Sequence, residues 1–226
     1  MLIAPNAFKG TFTALEAARA MKKGALAALP GARTLLRPVS DGGDGLMDAL
    51  LWARGGKVRR VRVHGPRGER RMAAFALLDR NTAVVEMARA SGLALLGGGR
   101  DAMGASTRGT GELIRAAAEA GARTILVGMG GSASSDAGAG MAQALGARLL
   151  DREGRPIGPG AEGLRSLARI EAGETAAFSK RVRIVALSDV DTPLTGPRGS
   201  ARVFGPQKGA TAAQVKIMEE AMARFA

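Results

Sequence analysis

The chain opens on a short apolar run, Leu2-Ile3-Ala4, breaks into a polar loop, PNAFKGTFT, and then carries an amphipathic stretch over residues 14 to 29. Apolar positions recurring every three or four residues turn one face of a helix toward a core. Thr13 is placed as its N-cap, Glu16 completes a capping box three residues later, and Pro30-Gly31 ends it. The order then repeats, with an apolar run from Thr34 to Val39, the loop SDGGDG and a second helical stretch. Two successive strand, loop and helix units predict an α/β fold with a parallel sheet, whose ligands bind beyond the carboxyl ends of the strands.

From Lys57 to Met87 the period falls to two. Val alternates with Arg, a turn follows at HGPRGER, and further short β-like runs come after it, which predicts antiparallel hairpins. A domain boundary is placed near Gly65, so that residues 1–64 and 65–226 form two units. Helix and strand alternate again between Arg108 and Leu150, in GELIRAAAEAG, RTILVG and DAGAGMAQALG. The glycine-rich segment from Asp151 to Phe178 reads as an excursion without assigned function. RVRIVAL is the last strand, and a terminal helix begins near Ala212.

Composition narrows the function classes. With 46% hydrophobic and 23% charged residues the chain is that of a folded protein. No apolar run approaches the roughly 18 residues of a membrane span, and the N-terminus lacks the basic and apolar regions of a secretory leader, so the expected location is the cytoplasm. The absence of cysteine excludes disulfides and thiolate chemistry, and one histidine leaves no His cluster, so any metal must be oxygen-bound. The net charge of +13 raises nucleic-acid binding. The basic residues Lys57, Arg59, Arg60, Arg62, Arg67, Arg70 and Arg71 bracket a turn, however, and read as the solvated face of a hairpin. With 3% aromatic residues there is no platform for base stacking. A positive field suits small anionic substrates.

Several loops carry candidate chemistry. In ILVGMGGSASSDAGAG an apolar strand runs into Gly128, Gly130 and Gly131, then Ser132, Ser134 and Ser135, then Asp136 before a helix. Glycines let a phosphate approach backbone N–H groups at a helix entry, although the same pattern also serves a tight turn with Asp136 as cap. The loop is neither a Walker A motif nor GxGxxG. ASTRGTGE offers Arg108 to a carboxylate or phosphate, with Thr110 as a binding or capping hydroxyl. SDGGDG pairs Asp41 and Asp44, which suit Mg²⁺ or a substrate hydroxyl, or form a turn and cap. Asp189 and Asp191 follow the last strand, where a general base would sit. Lys9 and Lys208 each precede a glycine in a loop, and His64 reads as structural.

Six segments in order give the chain a resemblance: IAPNAFKGTFTA, PVSDGGDG, EMARASGLALL, STRGTGELI, GMGGSASSDAGAGMAQALGA and SDVDTPLTGPRGSARVFGPQKGA. It resembles the bacterial-type glycerate kinases. The resemblance implies ATP-dependent, Mg²⁺-assisted phosphorylation of D-glycerate, with 2-phosphoglycerate the expected product. It also implies two unequal α/β domains, the first a Rossmann-like parallel sheet over residues 1–64 left incomplete because the family's C-terminal segment does not follow. An uncovered sheet edge predicts a homodimer or a complementing chain. For the kinase, Asp189, Lys9 and Asp41 are the catalytic candidates, and Asp41 and Asp44 those for the metal. Asp44, Arg108, Thr110, Gly130, Gly131, Ser132, Asp136 and Lys208 are the candidates for substrate and phosphate. The chain carries Asn6, Asp44, Ser135, Ala137, Ser188 and Thr192 where relatives usually have Asp, Glu, Asn, Gly, Cys and Asn.

Overall fold

A computed structural model describes residues 1–8 and 10–226. The first unit is small. Strand β1 (Leu2–Ile3) lies parallel to β2 (Leu35–Leu36), joined through helix α1 (Ala14–Ala28). Both capping-box bonds of α1 form between Thr13 and Glu16, and its buried residues Ala14, Ala17 and Ala18 face the pair of strands. This ladder is less buried than its apolar sequence predicts: Leu2 is 64% exposed and Leu35 49%, because a helix covers one face only.

Helix α2 (Leu46–Arg54) follows the SDGGDG loop and packs on a second, five-stranded sheet. That sheet contains β3 (Lys57–His64), β4 (Arg70–Leu77) and β5 (Thr82–Glu86). After the one-turn helix α3 (Ala88–Ser91), a 3₁₀ turn (Leu93–Leu96) and helix α4 (Arg108–Glu119), it is continued by β6 (Thr124–Gly128). Helix α5 (Ala139–Ala144), the hairpin strands β7 (Arg148–Leu150) and β8 (Arg169–Glu171), and helices α6 (Gly160–Leu164) and α7 (Gly173–Arg181) intervene before the last strand, β9 (Arg183–Leu187). Helix α8 (Ser200–Phe204), a 3₁₀ turn (Pro206–Lys208) and helix α9 (Ala212–Phe225) close the described fold.

The strand order is β3-β4-β5-β6-β9, antiparallel across β3-β4-β5 and parallel across β5-β6-β9. The predicted hairpins are present. A boundary at residue 64 would fall at the tip of the β3-β4 hairpin, where all eight residues of β3 pair with β4. HGPRGER is the expected hairpin turn, and β3 before it belongs to the second sheet. One face of this sheet buries Val63, Phe75 and Val85 against Leu113, Ile114 and Ala117 of α4, and the other buries Ala76 and Val84 against Leu46 and Met47 of α2. Burying each such large aliphatic side chain is worth about 1.5–3 kcal/mol. Lys57, Arg59, Arg60 and Arg62 are exposed along β3, and so is Val58, because the Arg59-Arg60 doublet breaks the alternation and only Val61 and Val63 turn to the core. The segment 151–178 is less of an excursion than its glycines suggest, because it holds α6, β8 and most of α7. Among the described residues no helix is long and apolar enough to cross a membrane.

Candidate functional site

Parallel pairing aligns the carboxyl ends of three strands: Glu86 of β5 is in register with Gly128 of β6, and Gly128 with Leu187 of β9. The loops leaving these ends must therefore share one edge of the sheet, and residues 41–45 are pressed into the same edge. The Gly130 N–H donates to the Gly42 carbonyl at 3.2 Å, and the Met129 N–H to the Leu187 carbonyl at 3.1 Å. The contact is closer than any side chain allows. A Cβ on Gly130 would lie 2.5 Å from Gly43 Cα, and Gly42, at φ +89°, would meet the Leu187 carbonyl at 2.7 Å. Both glycines are thus required by packing as well as by any ligand.

Asp136 organises the other end of the glycine-rich loop. Its carboxylate, 1% exposed, accepts from Thr107 N–H (2.8 Å), Thr107 Oγ1 (2.9 Å), Ser106 Oγ (3.4 Å), Gly140 N–H (3.1 Å) and Gly138 N–H (3.2 Å). A carboxylate engaged by five donors satisfies the entries of α4 and α5 together. The bond from Met141 N–H to Thr107 Oγ1 at 2.9 Å extends the same knot. Asp136 therefore shapes the loop and does not present its carboxylate to a ligand.

Lys208 lies across this loop. It is 7% exposed, and its ammonium donates to Ser132 Oγ at 3.0 Å and to the Ser134 carbonyl. Among the described residues no carboxylate comes within ion-pair distance of it. Burial pushes the ammonium down from the ordinary 10.5 to about 8, against the opposing pull of Asp136. A buried cation short of a counter-charge beside a glycine loop is a place for an anion. Among the described residues the backbone N–H groups of Gly131 and Ser132 find no protein acceptor, so they too remain available.

The remaining candidates are placed as follows. Asp41 and Asp44 are both exposed in the inserted loop. Asp41 Oδ1 accepts from Gly43 N–H at 3.0 Å, and a Cβ on Gly131 would lie 3.3 Å from Asp44 Oδ1, so Asp44 borders the glycine loop. Asp189 and Asp191 are exposed just beyond β9, whose last residue touches Gly42. Arg108 turns away from the loop: its Nε is 3.4 Å from Glu112. Glu112 also accepts from the His64 backbone N–H at 2.7 Å and contacts its ring at 2.6 Å. Burial raises the Glu112 carboxyl, but the His64 and Arg108 hydrogen bonds outweigh it and hold it below the usual range. His64 is structural, as its isolation in the sequence suggests. Thr110 is fully buried, with its hydroxyl on Ser91 Oγ at 2.9 Å, because it falls on the same stripe of α4 as Leu113, Ile114 and Ala117. Lys9 lies outside the described residues.

One residue at this edge was not singled out from the sequence. Glu86, 2% exposed, accepts from Met47 N–H at 3.0 Å and pairs with Arg89, fixing the first turn of α2 behind the Asp41 loop. A carboxylate ending the apolar run TAVV was the available signal. Beside Asp44 lies an open groove of about 660 Å³ lined by Phe8, Phe12, Trp52 and Asp48 among others. Among the described residues no group of three or more His, Asp or Glu side chains gathers in one place.

The arrangement brings backbone donors, a buried ammonium and two exposed carboxylates to one sheet edge, which suits holding a phosphoryl group. The model of the glycerate kinase family matches residues 1–226. The chain is 46% identical over its whole length to "Glycerate kinase" of Bacillus subtilis (strain 168) and 42% identical to "Glycerate 2-kinase" of Escherichia coli (strain K12), covering 60% of each. A crystal structure described as a glycerate kinase 2 from Salmonella typhimurium LT2 superposes with a TM-score of 0.89 at 43% identity, over all of this chain and 61% of that one. The chain thus spans about three fifths of the length of the curated relatives it matches. Sheet order, loop geometry and a match running from the first residue to the last agree that this chain belongs to the glycerate kinase family.

Proposed function

We propose that the chain carries the phosphate-binding face of an ATP-dependent kinase that phosphorylates D-glycerate, giving 2-phosphoglycerate, in the cytoplasm. The observation that carries this reading is Lys208, buried on the glycine-rich loop with no carboxylate partner among the described residues. The transferred phosphoryl group rests on the N–H groups of Gly131 and Ser132, with Lys208 neutralising its charge. In phosphoryl transfer such positioning and neutralisation supply most of the catalysis. Asp189 takes the proton of the attacking glycerate hydroxyl, the hydroxyl oxygen bonds to the γ-phosphorus, and the bond to ADP breaks. Lys9 supplies a further catalytic cation.

Mg²⁺ prefers one or two carboxylates together with phosphate oxygens and water. Asp41, with one oxygen free of its turn, and Asp44 fit that donor set and would hold the ion, which would supply further charge neutralisation at the phosphates. Of the other candidates, Arg108, Thr110 and Asp136 keep the loop and α4 in place. For assembly, a second copy or a complementing chain covers the exposed β1-β2 pair, where Leu2 and Leu35 face solvent. A coupled assay with D-glycerate and MgATP tests the proposal. An Asp189→Asn variant is expected to lose about 10²–10⁴-fold in turnover with nucleotide affinity unchanged, and full rate in that variant removes Asp189 as base. The exposed position of Asp189, outside the hydrogen-bonded part of the site, favours a second reading, binding without turnover. Nucleotide binding by calorimetry with no phosphoglycerate formed would establish it.

A further inference from the structure

Any kinase acting on glycerate must hold the substrate's carboxylate, and Arg108, the arginine the sequence offered for it, lies with its Nε 3.4 Å from Glu112. A second cavity also borders Asp44. It has a volume of about 370 Å³ and is lined by Arg60, Arg71, Arg89, Glu86 and Leu95 as well as Asp44. Its size suits a small ligand.

The three guanidinium groups are not equivalent. Arg89 is spent, paired with Glu86 and lying 3.5 Å from Asp48. Arg60 has no carboxylate within ion-pair distance among the described residues. Arg71 Nε is shielded from solvent and has no hydrogen-bond partner among the described residues, while its guanidinium is 3.9 Å from Glu69. That Nε, shielded from solvent, is out of a ligand's reach, so what the cavity offers is the terminal nitrogens of Arg71 and of Arg60, and a carboxylate is the acceptor whose geometry matches a guanidinium fork. Asp44 also borders Gly131 of the glycine loop, so an anion in this cavity sits next to where a phosphoryl group would lie.

We propose that this cavity is the carboxylate subsite of the kinase, with Arg71 and Arg60 as the residues that select an acidic substrate. The assignment rests on the glycerate kinase reading above and adds the group that tells glycerate from an uncharged polyol. With the carboxylate on the arginines, the rest of the small substrate points past Asp44 toward the glycine loop.

Calorimetric titration of the 226-residue chain tests it, with D-glycerate, glycerol as the carboxylate-free probe, and a non-hydrolysable ATP analogue with Mg²⁺. The wild type is expected to bind D-glycerate and not glycerol. Arg71→Met and Arg60→Met should each weaken D-glycerate by about 10- to 100-fold, the loss of one charge-assisted contact, and leave the nucleotide affinity within about twofold. Arg62→Met, on the same hairpin but outside the cavity, serves as the charge control and should bind normally. Arg60 is exposed, so its variant reports even if Arg71→Met fails to fold. D-glycerate binding that ignores a folded Arg60→Met, or that falls equally in Arg62→Met, overturns the subsite while leaving the glycerate reading intact. Binding of another hydroxycarboxylate in place of D-glycerate, still dependent on Arg60, keeps the subsite and removes glycerate. No carboxylate binding at all by a chain that binds nucleotide overturns the proposal.

Discussion

Replacing Lys208 by Met separates what its charge costs the ligand-free fold from what it contributes to binding. The ammonium titrates at about 8 in the folded chain against 10.5 ordinarily. Below about pH 8 both folded and unfolded chains hold the proton, and the folded chain bears the full burial cost. Between 8 and 10.5 the unfolded chain keeps a proton that the folded chain has released, so raising the pH favours the folded state. The difference amounts to about 3 kcal/mol across the whole window, of which about 2.5 kcal/mol falls between pH 7 and pH 10. Lys208→Met cannot show this gain. Urea denaturation of both proteins at pH 7, 8, 9 and 10 should give a stability difference that moves by about 2–3 kcal/mol in favour of wild type as the pH rises, while other lysines and arginines cancel in the comparison. The variant should also lose nucleotide affinity at pH 7. A bound phosphate should draw a proton onto Lys208, read at pH 8.5 as a dependence of the binding enthalpy on buffer ionisation. Parallel stability profiles for the two proteins would refute the argument.

Two further substitutions probe the loop itself. Ala137 has φ +49°, a left-handed conformation that costs a residue with a Cβ about 1–2 kcal/mol. Ala137→Gly should raise the stability by up to about 1 kcal/mol, less if its gain in unfolded-state freedom offsets the relief, measured by the shift in urea midpoint at unchanged slope. Asp136→Asn places an amide donor among N–H and O–H donors and should cost about 2–4 kcal/mol. Hydrogen exchange should then rise in the first turns of both α4 and α5, and exchange confined to one helix would show that Asp136 does not join them.

Local chemistry was legible in the sequence, and partnership was not. The Thr13–Glu16 capping box, the turn at HGPRGER and the glycine-rich turn after β6 all depend on neighbours a few residues apart, and each appears as expected. Thr110 and Asp136 carry the polarity of ligand-binding residues, yet their partners are Ser91, Ser106 and Thr107. Those contacts span separations of 19 to 30 residues and become visible only once α3, α4 and α5 are packed. The boundary near Gly65 illustrates the same limit, because HGPRGER shows a turn but not which sheet the strand before it joins. Arg60 and Arg108 are indistinguishable by type, and only the distance to Glu112 shows that Arg108 already has a carboxylate beside it.

The knot around Asp136 has a consequence for the speed of ligand capture. A loop whose five bonds exist before the ligand arrives does not have to order itself after the encounter. Association should then be a single step, with an observed rate that rises linearly with nucleotide concentration and shows no plateau. With a net charge of +13 the encounter with a polyphosphate is electrostatically accelerated, so the slope should fall as salt is added while dissociation stays nearly constant.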